Sequence, residues 1–214
     1  MSRAKTIAID GAVAVGKTSV GRVLAQRLGY RFIDTGIMYR ALTWKALKLG
    51  VNLEDEQGLT KLALETEIEL NDRVLVDGRD VAGEVRKPQV EANVSLASMV
   101  AGVRKAMVAK QRAMVSEGVV MAGRDIGTVV LPNADFKVYL VASPQERARR
   151  RHQELAELGE ASDYDTILSD LMRRDRIDSE RAMSPLYPAP DARIIDTDGV
   201  ELEEVVAQIL RMVE

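Results

Sequence analysis

The sequence predicts an α/β fold in which a parallel five-stranded sheet carries helices on both faces. Three observations carry that prediction. Short β-branched, apolar stretches alternate with stretches of helical spacing along the chain. The first strand runs into a glycine-bearing loop and from there directly into a helix. One segment, near residues 65–90, breaks the alternation and reads as a small β-containing insertion outside the main sheet.

Lys5-Thr6-Ile7-Ala8-Ile9 is the first strand, β-branched and apolar enough to be buried on both sides. Asp10-Gly11-Ala12-Val13-Ala14-Val15-Gly16-Lys17-Thr18-Ser19 follows, and Val20 to Leu28 then has helical spacing and stops at Gly29. Gly11, Gly16, Lys17 and Thr18 satisfy G-x-x-x-x-G-K-[ST] in the strand–loop–helix setting that this motif requires. A polyphosphate needs converging backbone N–H groups, and a helix N-terminus adds partial positive charge. The glycines let the backbone come close, Lys17 can reach the β- and γ-phosphates, and Thr18 can offer a hydroxyl to Mg²⁺. The plainer alternative is a glycine turn between a core strand and a core helix; the flanking elements weigh against it. The expectation is a nucleotide phosphate loop on a P-loop NTPase-type sheet.

The second strand is short, Arg31 to Ile33, and leads through a turn at Asp34-Thr35-Gly36 into a helix carrying Tyr39, Trp44 and Leu47. Thr35 and Arg40 thus leave the C-terminal end of a parallel strand, where ligands sit in such sheets. On local grounds alone, a capped helix with a solvated arginine is the stronger reading. Asn52 to Leu64 reads as a polar loop and a helix. Glu65–Leu70 and Arg73–Val76 alternate about Asn71-Asp72 as a hairpin, and Asp77 to Gly83 as a further turn region. Pro88 to Val115 is helical, broken near Ala101-Gly102, and carries Ser95 and Arg104.

Val119 to Ala122 is a central strand. Gly123-Arg124-Asp125-Ile126-Gly127-Thr128 follows it, so Arg124 and Asp125 also stand at the sheet's ligand edge, with a surface Arg–Asp pair as the competing account. Phe136 to Val141 is another strand. Ser143 caps the next helix with Pro144 at its first position. That helix carries Arg147, Arg149, Arg150 and Arg151; after a link at Gly159–Ser162, Tyr164 to Met183 forms a second one with Arg173, Arg174, Arg176 and Arg181. The spacing puts Arg174, Asp178 and Arg181 on one helical face. A salt-laced, solvated helix pair is the ordinary reading; an arginine-rich lid that closes over phosphates is the functional one. Arg193 to Thr197 is the last strand and Val200 to Val213 the last helix.

Composition narrows the chemistry. The 214 residues suffice for one domain with an insertion, and a net charge of −3 supplies no basic field for nucleic acid. There is no cysteine, so disulfides, thiolate zinc sites and a cysteine nucleophile are excluded. His152 is the single histidine, which leaves no basis for a His-ligated metal or a Ser-His-Asp triad. A metal would be a hard ion held by oxygen. The run Ala92 to Val103 is too short and too polar to span a bilayer, and the N-terminus has no signal-like apolar region.

Over nearly its whole length the chain resembles the bacterial cytidylate kinases, nucleoside monophosphate kinases. The phosphate loop at Gly11 to Ser19 carries the resemblance together with Asp34-Thr35-Gly36-x-Met38-Tyr39-Arg40, Val81-x-x-Glu84-Val85-Arg86, Ser95, Val103-Arg104, Gly123-Arg124-Asp125-Ile126-Gly127-Thr128-Val129-Val130, Ala142-Ser143-Pro144-x-Glu146-Arg147, Arg174-Asp175-x-x-Asp178-Ser179-x-Arg181 and Ile195-Asp196-Thr197. The Gly123–Val130 segment is the most specific of these. The resemblance implies transfer of the γ-phosphate of ATP to CMP or dCMP. It implies a single domain with a core at about 1–50, 116–150 and 190–214, a nucleoside-monophosphate-binding region with the β-containing insertion at about 51–115, and a helical lid at about 151–189.

It also implies roles. Gly11, Ala12, Val13, Ala14, Val15, Gly16, Lys17, Thr18 and Ser19 would hold ATP, with Thr18 on Mg²⁺ supplied as MgATP. Arg147 and Asp196-Thr197-Asp198 would lie near the adenine. Thr35, Arg40 and Arg124 would hold the CMP phosphate, while Ser95, Arg104 and Asp125 would read the cytosine edge. Arg174 and Asp178 would contact the ribose, Arg181 would bridge the phosphates, and Lys17, Arg124, Arg174 and Arg181 would form the catalytic set. The expected partners are ATP and CMP or dCMP, with neither nucleic acid nor membrane, for a monomer in the cytoplasm.

Two departures stand out. Relatives usually open the phosphate loop with Gly-Pro-Ser-Gly, where this chain has Gly11-Ala12-Val13-Ala14, and Ser184 stands where alanine is common. Two alternatives stay open: a P-loop kinase of another small acceptor, such as UMP or a deoxynucleoside, and a non-catalytic nucleotide-binding sensor.

Overall fold

The computed structural model describes residues 5–71 and 73–213. The main sheet has five strands: β1 (Thr6–Gly11), β2 (Arg31–Asp34), β6 (Val119–Gly123), β7 (Phe136–Val141) and β8 (Arg193–Asp196), in the order β2-β6-β1-β7-β8. β1 lies parallel to both of its neighbours, with Asp10 level with Gly123 on one side and with Tyr139 on the other. β7 continues parallel to β8. The five-stranded parallel sheet expected from the alternation is therefore present.

β1 and β6 read as unbroken apolar runs because neither face of a central parallel strand meets water. Ile7, Ile9, Val120, Val138 and Leu140 form the sheet side of the core. Against them pack Val20 and Leu24 of α1 (Lys17–Leu28), and Val205, Val206 and Ile209 of α8 (Leu202–Val213). Close backbone approach explains Gly11, where an added Cβ would lie 2.4 Å from the Leu140 carbonyl oxygen.

The chain falls into two compact units, Met1–Phe32 with Ser116–Glu180 and Ser184–Glu214, and Ile33–Val115 with Arg181–Met183. The first also contains α6 (Pro144–Glu157) and α7 (Tyr164–Glu180). Ser143 caps α6 as expected, accepting from the Glu146 N–H at 3.2 Å. α7 ends at Glu180, three residues before the expected boundary, so Arg181 lies beyond the helix. It does not share a helical face with Arg174 and Asp178.

The second unit holds α2 (Thr35–Leu49), α3 (Glu56–Glu65), α4 (Pro88–Met99), α5 (Ala101–Ala113) and a separate antiparallel sheet. No free turn separates β2 from α2, because the Asp34 carboxylate caps the helix directly, accepting from Gly36 N–H at 3.0 Å. The expected hairpin is β3 (Ile68–Leu70) with β4 (Val74–Val76); of its turn, Asp72 lies outside the described residues. Part of the stretch expected as a turn instead forms a third strand, β5 (Arg79–Asp80), reached through Asp77 at φ 49° and Gly78 at φ 77°. The helical break falls at Val100, one residue before the expected site. At Gly102 an added Cβ would sit 2.1 Å from the Thr60 hydroxyl, which is how closely α5 meets α3.

Candidate active site

The phosphate loop leaves the C-terminal end of β1 and closes on the first turn of α1. Its path needs left-handed backbone at Ala14 (φ 59°) and Gly16 (φ 95°). Glycine takes such angles freely, whereas an alanine there is strained by roughly 1–2 kcal/mol. The Lys17 ammonium, buried, folds back over the loop and donates to the carbonyl oxygens of Gly11, at 2.8 Å, and Ala12. Thr18 stands beside it in the first turn of α1.

Val13 and Ala14 interrupt the polar character of such a loop for a packing reason. Val13 is 9% exposed and clusters with Ala148 of α6 and Leu171 of α7. Ala14, Tyr164, Ile167 and Leu168 pack on the same cluster. The backbone at Val13 is held as well. Arg147, 3% exposed, donates from Nη1 to the Val13 carbonyl at 3.0 Å and from Nε to the Ala142 carbonyl at 3.2 Å. Its charge is met by Asp175 of α7 through two hydrogen bonds, at 3.1 and 2.6 Å. Arg150 reaches the Thr197 hydroxyl at 3.1 Å and also the Thr197 carbonyl. Asp198 accepts from the Ser143 N–H at 2.9 Å. Arg147 and Arg150 are therefore fastened to the loop, to α7 and to the end of β8, while Arg149 and Arg151 pair with Glu146 and Glu154 on the solvated face of α6.

The segment after β6 winds at once into a compact turn. Ile126–Val130 forms a single π-type turn in which Val129 and Val130 both donate to the Asp125 carbonyl, at 2.8 and 3.0 Å. Arg124 Nε donates to the Asp178 carboxylate at 2.8 Å, so two expected site residues meet each other directly. Asp125 is buried alongside, as are Arg174 and Asp178.

Asp10 and Asp175, which carry no role in the expected set, belong to this site as well. Asp10 is the penultimate residue of β1, 4% exposed, and accepts from Ile126 N–H at 2.8 Å and Gly127 N–H at 2.7 Å. Burial pushes its carboxyl up to about 6, against the pull of those two N–H groups and of Lys17; Asp125 nearby pushes it further up. The available signal was a carboxylate near the end of an otherwise apolar strand. Arg149 and Arg150 act in the opposite sense on Glu146 and hold it down at about 2.

In the second unit, Thr35 is buried at the start of α2 and Arg40 pairs with Glu91 of α4. Ser95 is buried on α4, and its carbonyl accepts from the Ser98 hydroxyl at 2.9 Å. Arg104 of α5, 2% exposed, donates to the Ser98 carbonyl at 3.3 Å and lies 5.3 Å from the centre of the Tyr39 ring. Arg181 is buried in this unit too.

A phosphate loop on a parallel sheet, with arginine-rich helices fastened to it, defines a P-loop kinase. Solved structures agree at the level of fold. Shikimate kinase from Bacteroides thetaiotaomicron matches with a TM-score of 0.50 at 13% identity, covering 98% of each chain. An uncharacterized protein from Eubacterium ventriosum matches with a TM-score of 0.53 at 12% identity, covering 98% of this chain and 97% of that one.

The family model for cytidylate kinase matches residues 7–214, and the chain belongs to that family. The protein named cytidylate kinase in Pelotomaculum thermopropionicum is 50% identical over 220 residues, covering 100% of this chain and 97% of that one. Those of the same name in Geobacillus kaustophilus and Bacillus subtilis are 50% and 44% identical, each covering 100% of this chain and 98% of their own length. No helix among the described residues is long and apolar enough to cross a membrane.

Proposed function

We propose that this protein transfers the γ-phosphate of ATP to CMP or dCMP, giving ADP and CDP or dCDP. The observation that carries the reading is the phosphate loop in the first unit, with Asp10 joining it to the segment that bears Arg124 and Asp125. Membership of the cytidylate kinase family supplies the acceptor.

In this reading Gly11 to Ser19 cradle the triphosphate. Lys17 exchanges the carbonyls of Gly11 and Ala12 for phosphate oxygens, and Arg147 keeps the loop shaped near the adenine. Thr35, Arg40 and Arg124 hold the acceptor phosphate. Ser95, Arg104 and Asp125 read cytosine, whose N4 amino group donates while N3 and O2 accept. Arg174 and Asp178 hold the ribose, and Arg181 the phosphates. The helical segment at about 151–189 serves as the lid, which excludes water as a competing acceptor. The chain works as a monomer in the cytoplasm.

The CMP phosphate is already an anionic nucleophile, so no general base is needed. In-line positioning and charge neutralisation by Lys17 and the arginines supply most of the rate.

The donor set fits magnesium. Thr18 offers a hydroxyl oxygen, and no group of three or more His, Cys, Asp or Glu is gathered for a metal among the described residues, so phosphate oxygens would complete the shell. Bound on ATP, magnesium spreads the charge of the β- and γ-phosphates. The test is ADP release with CMP, dCMP, UMP and AMP as acceptors. CMP and dCMP are expected to lead, and a lack of CDP from ATP and CMP would overturn the reading.

A further inference from the structure

We infer that Asp10 is a positioning residue for cytosine recognition: its carboxylate, fixed to the phosphate-loop strand, caps the backbone that aims Asp125 and Arg124. The inference rests on the proposed roles of those two residues.

Asp10 is the penultimate residue of β1, and Gly11, which ends the strand, opens the phosphate loop. Its Oδ1 accepts from Ile126 N–H at 2.8 Å and its Oδ2 from Gly127 N–H at 2.7 Å. Those are the first two N–H groups of the π-type turn at Ile126–Val130. The early N–H groups of any helical turn have no partner within it and need an acceptor from outside. Local capping residues normally supply one. Here Asp125, at the cap position, makes no side-chain cap. Asp10, 116 positions before Ile126, does the capping.

The geometry selects aspartate. A carboxylate has two acceptor oxygens for two converging donors. Asparagine has one, and its NH₂ would confront the second N–H. Glutamate would carry the carboxylate one methylene further and push the turn away, since both N–H groups already lie at hydrogen-bond distance, 2.8 and 2.7 Å. Burying an ionised carboxylate is costly. An apolar side chain there would leave both N–H groups buried without an acceptor, so the carboxylate is kept for what it holds. Asp125 and Arg124 directly precede the two captured N–H groups, and Arg124 in turn meets Asp178 at 2.8 Å. Any shift of the turn re-aims all of them.

The experiment compares wild type, Asp10→Asn, Asp125→Asn and the double variant, each assayed with CMP and UMP and by hydrogen exchange. In Asp10→Asn, KM for CMP is expected to rise at least tenfold with a smaller change in kcat. The ratio of kcat/KM for CMP over UMP should fall at least fivefold, and the amides of Ile126 and Gly127 should exchange at least tenfold faster. The double variant should show the CMP-to-UMP ratio of Asp125→Asn alone, because Asp10 acts through Asp125. An unchanged ratio in Asp10→Asn, effects that multiply in the double variant, or unchanged exchange at Ile126 and Gly127 each overturns the inference. Should Asp10→Asn not fold, Asp10→Glu keeps both acceptor oxygens but carries them one methylene further; it should lower the ratio in the same direction, and an unaltered ratio overturns the inference. Wild type that makes no CDP sinks the proposed function instead, and the exchange result still decides whether Asp10 holds the turn.

Discussion

Arg147 and Asp175 are joined by two parallel hydrogen bonds, and the nitrogen that makes the longer one also reaches the carbonyl oxygen of Val13 at 3.0 Å. One guanidinium thus ties α6, α7 and the phosphate loop together. Removing Asp175 leaves the Arg147 charge buried without its counterion. Asp175→Ala should cost about 3 kcal/mol of folding stability, the low end for a broken buried pair because Asp175 is partly exposed. Urea unfolding checks the stability. Because the arginine also shapes the loop, KM for ATP should rise more than KM for CMP in steady-state assays.

Asp10 gives the stability a pH signature of definite sign. Its folded carboxyl titrates at about 6, above its ordinary value of 3.8. The folded protein therefore holds this proton more tightly than the unfolded chain does. As pH rises from 3.8 towards 6, the unfolded chain loses its proton first, so the contribution of Asp10 to stability falls, then levels off above 6. The loss is about 3 kcal/mol. Asp10→Asn cannot titrate. The stability of wild type minus that of Asp10→Asn, from urea melts between pH 4 and 8, should drop by about this amount and change no further at higher pH.

Asp125→Asn tests base reading. Asparagine keeps one carbonyl oxygen but presents an NH₂ where the carboxylate accepted, so the preference for cytosine over uracil should fall by one to two orders of magnitude. Binding of ATP, measured without an acceptor, should change less than threefold, by the separation of donor and acceptor roles proposed above.

Much of this was legible from sequence, for reasons that differ by residue. β1 and β6 are buried on both faces, so their apolar runs announce them. Ser143-Pro144 and Gly29 mark helix ends by chemistry confined to a few neighbours. The arginines of α6 and α7 were visible as a charge pattern, but their partners were not: Arg147 meets Val13, 134 residues away, and Asp175, 28 away. Asp10 was missed because its partners are N–H groups at Ile126 and Gly127, and backbone donors leave no mark on residue identity. Arg181 was misplaced because i, i+3, i+4 spacing holds only while a helix continues, and α7 stops at Glu180. β5 was read as a turn because a two-residue strand has no alternation to detect.

The apolar loop Ala12-Val13-Ala14 makes a prediction that separates packing from backbone. Val13 sits against Ala148 and Leu171, so Val13→Ser removes apolar contact and puts a hydroxyl into an apolar cluster. It should cost about 2 kcal/mol, combining lost burial with the penalty for a buried hydroxyl. Ala14 is different: its φ of 59° is strained for any residue with a Cβ, and glycine would relieve it. Glycine also adds freedom to the unfolded chain and gives up a methyl packed on the cluster, which offsets most of that relief. Ala14→Gly should therefore leave stability within about 1 kcal/mol of wild type. The apolar pair thus fastens the phosphate loop to α6 and α7 mainly through Val13. In a calorimetric or urea comparison, Val13→Ser should be the clearly weaker of the two variants, and hydrogen exchange in α6 and α7 should quicken in Val13→Ser but not in Ala14→Gly. Equal stability of the two variants would mean that the cluster contributes little and that loop strain governs this region.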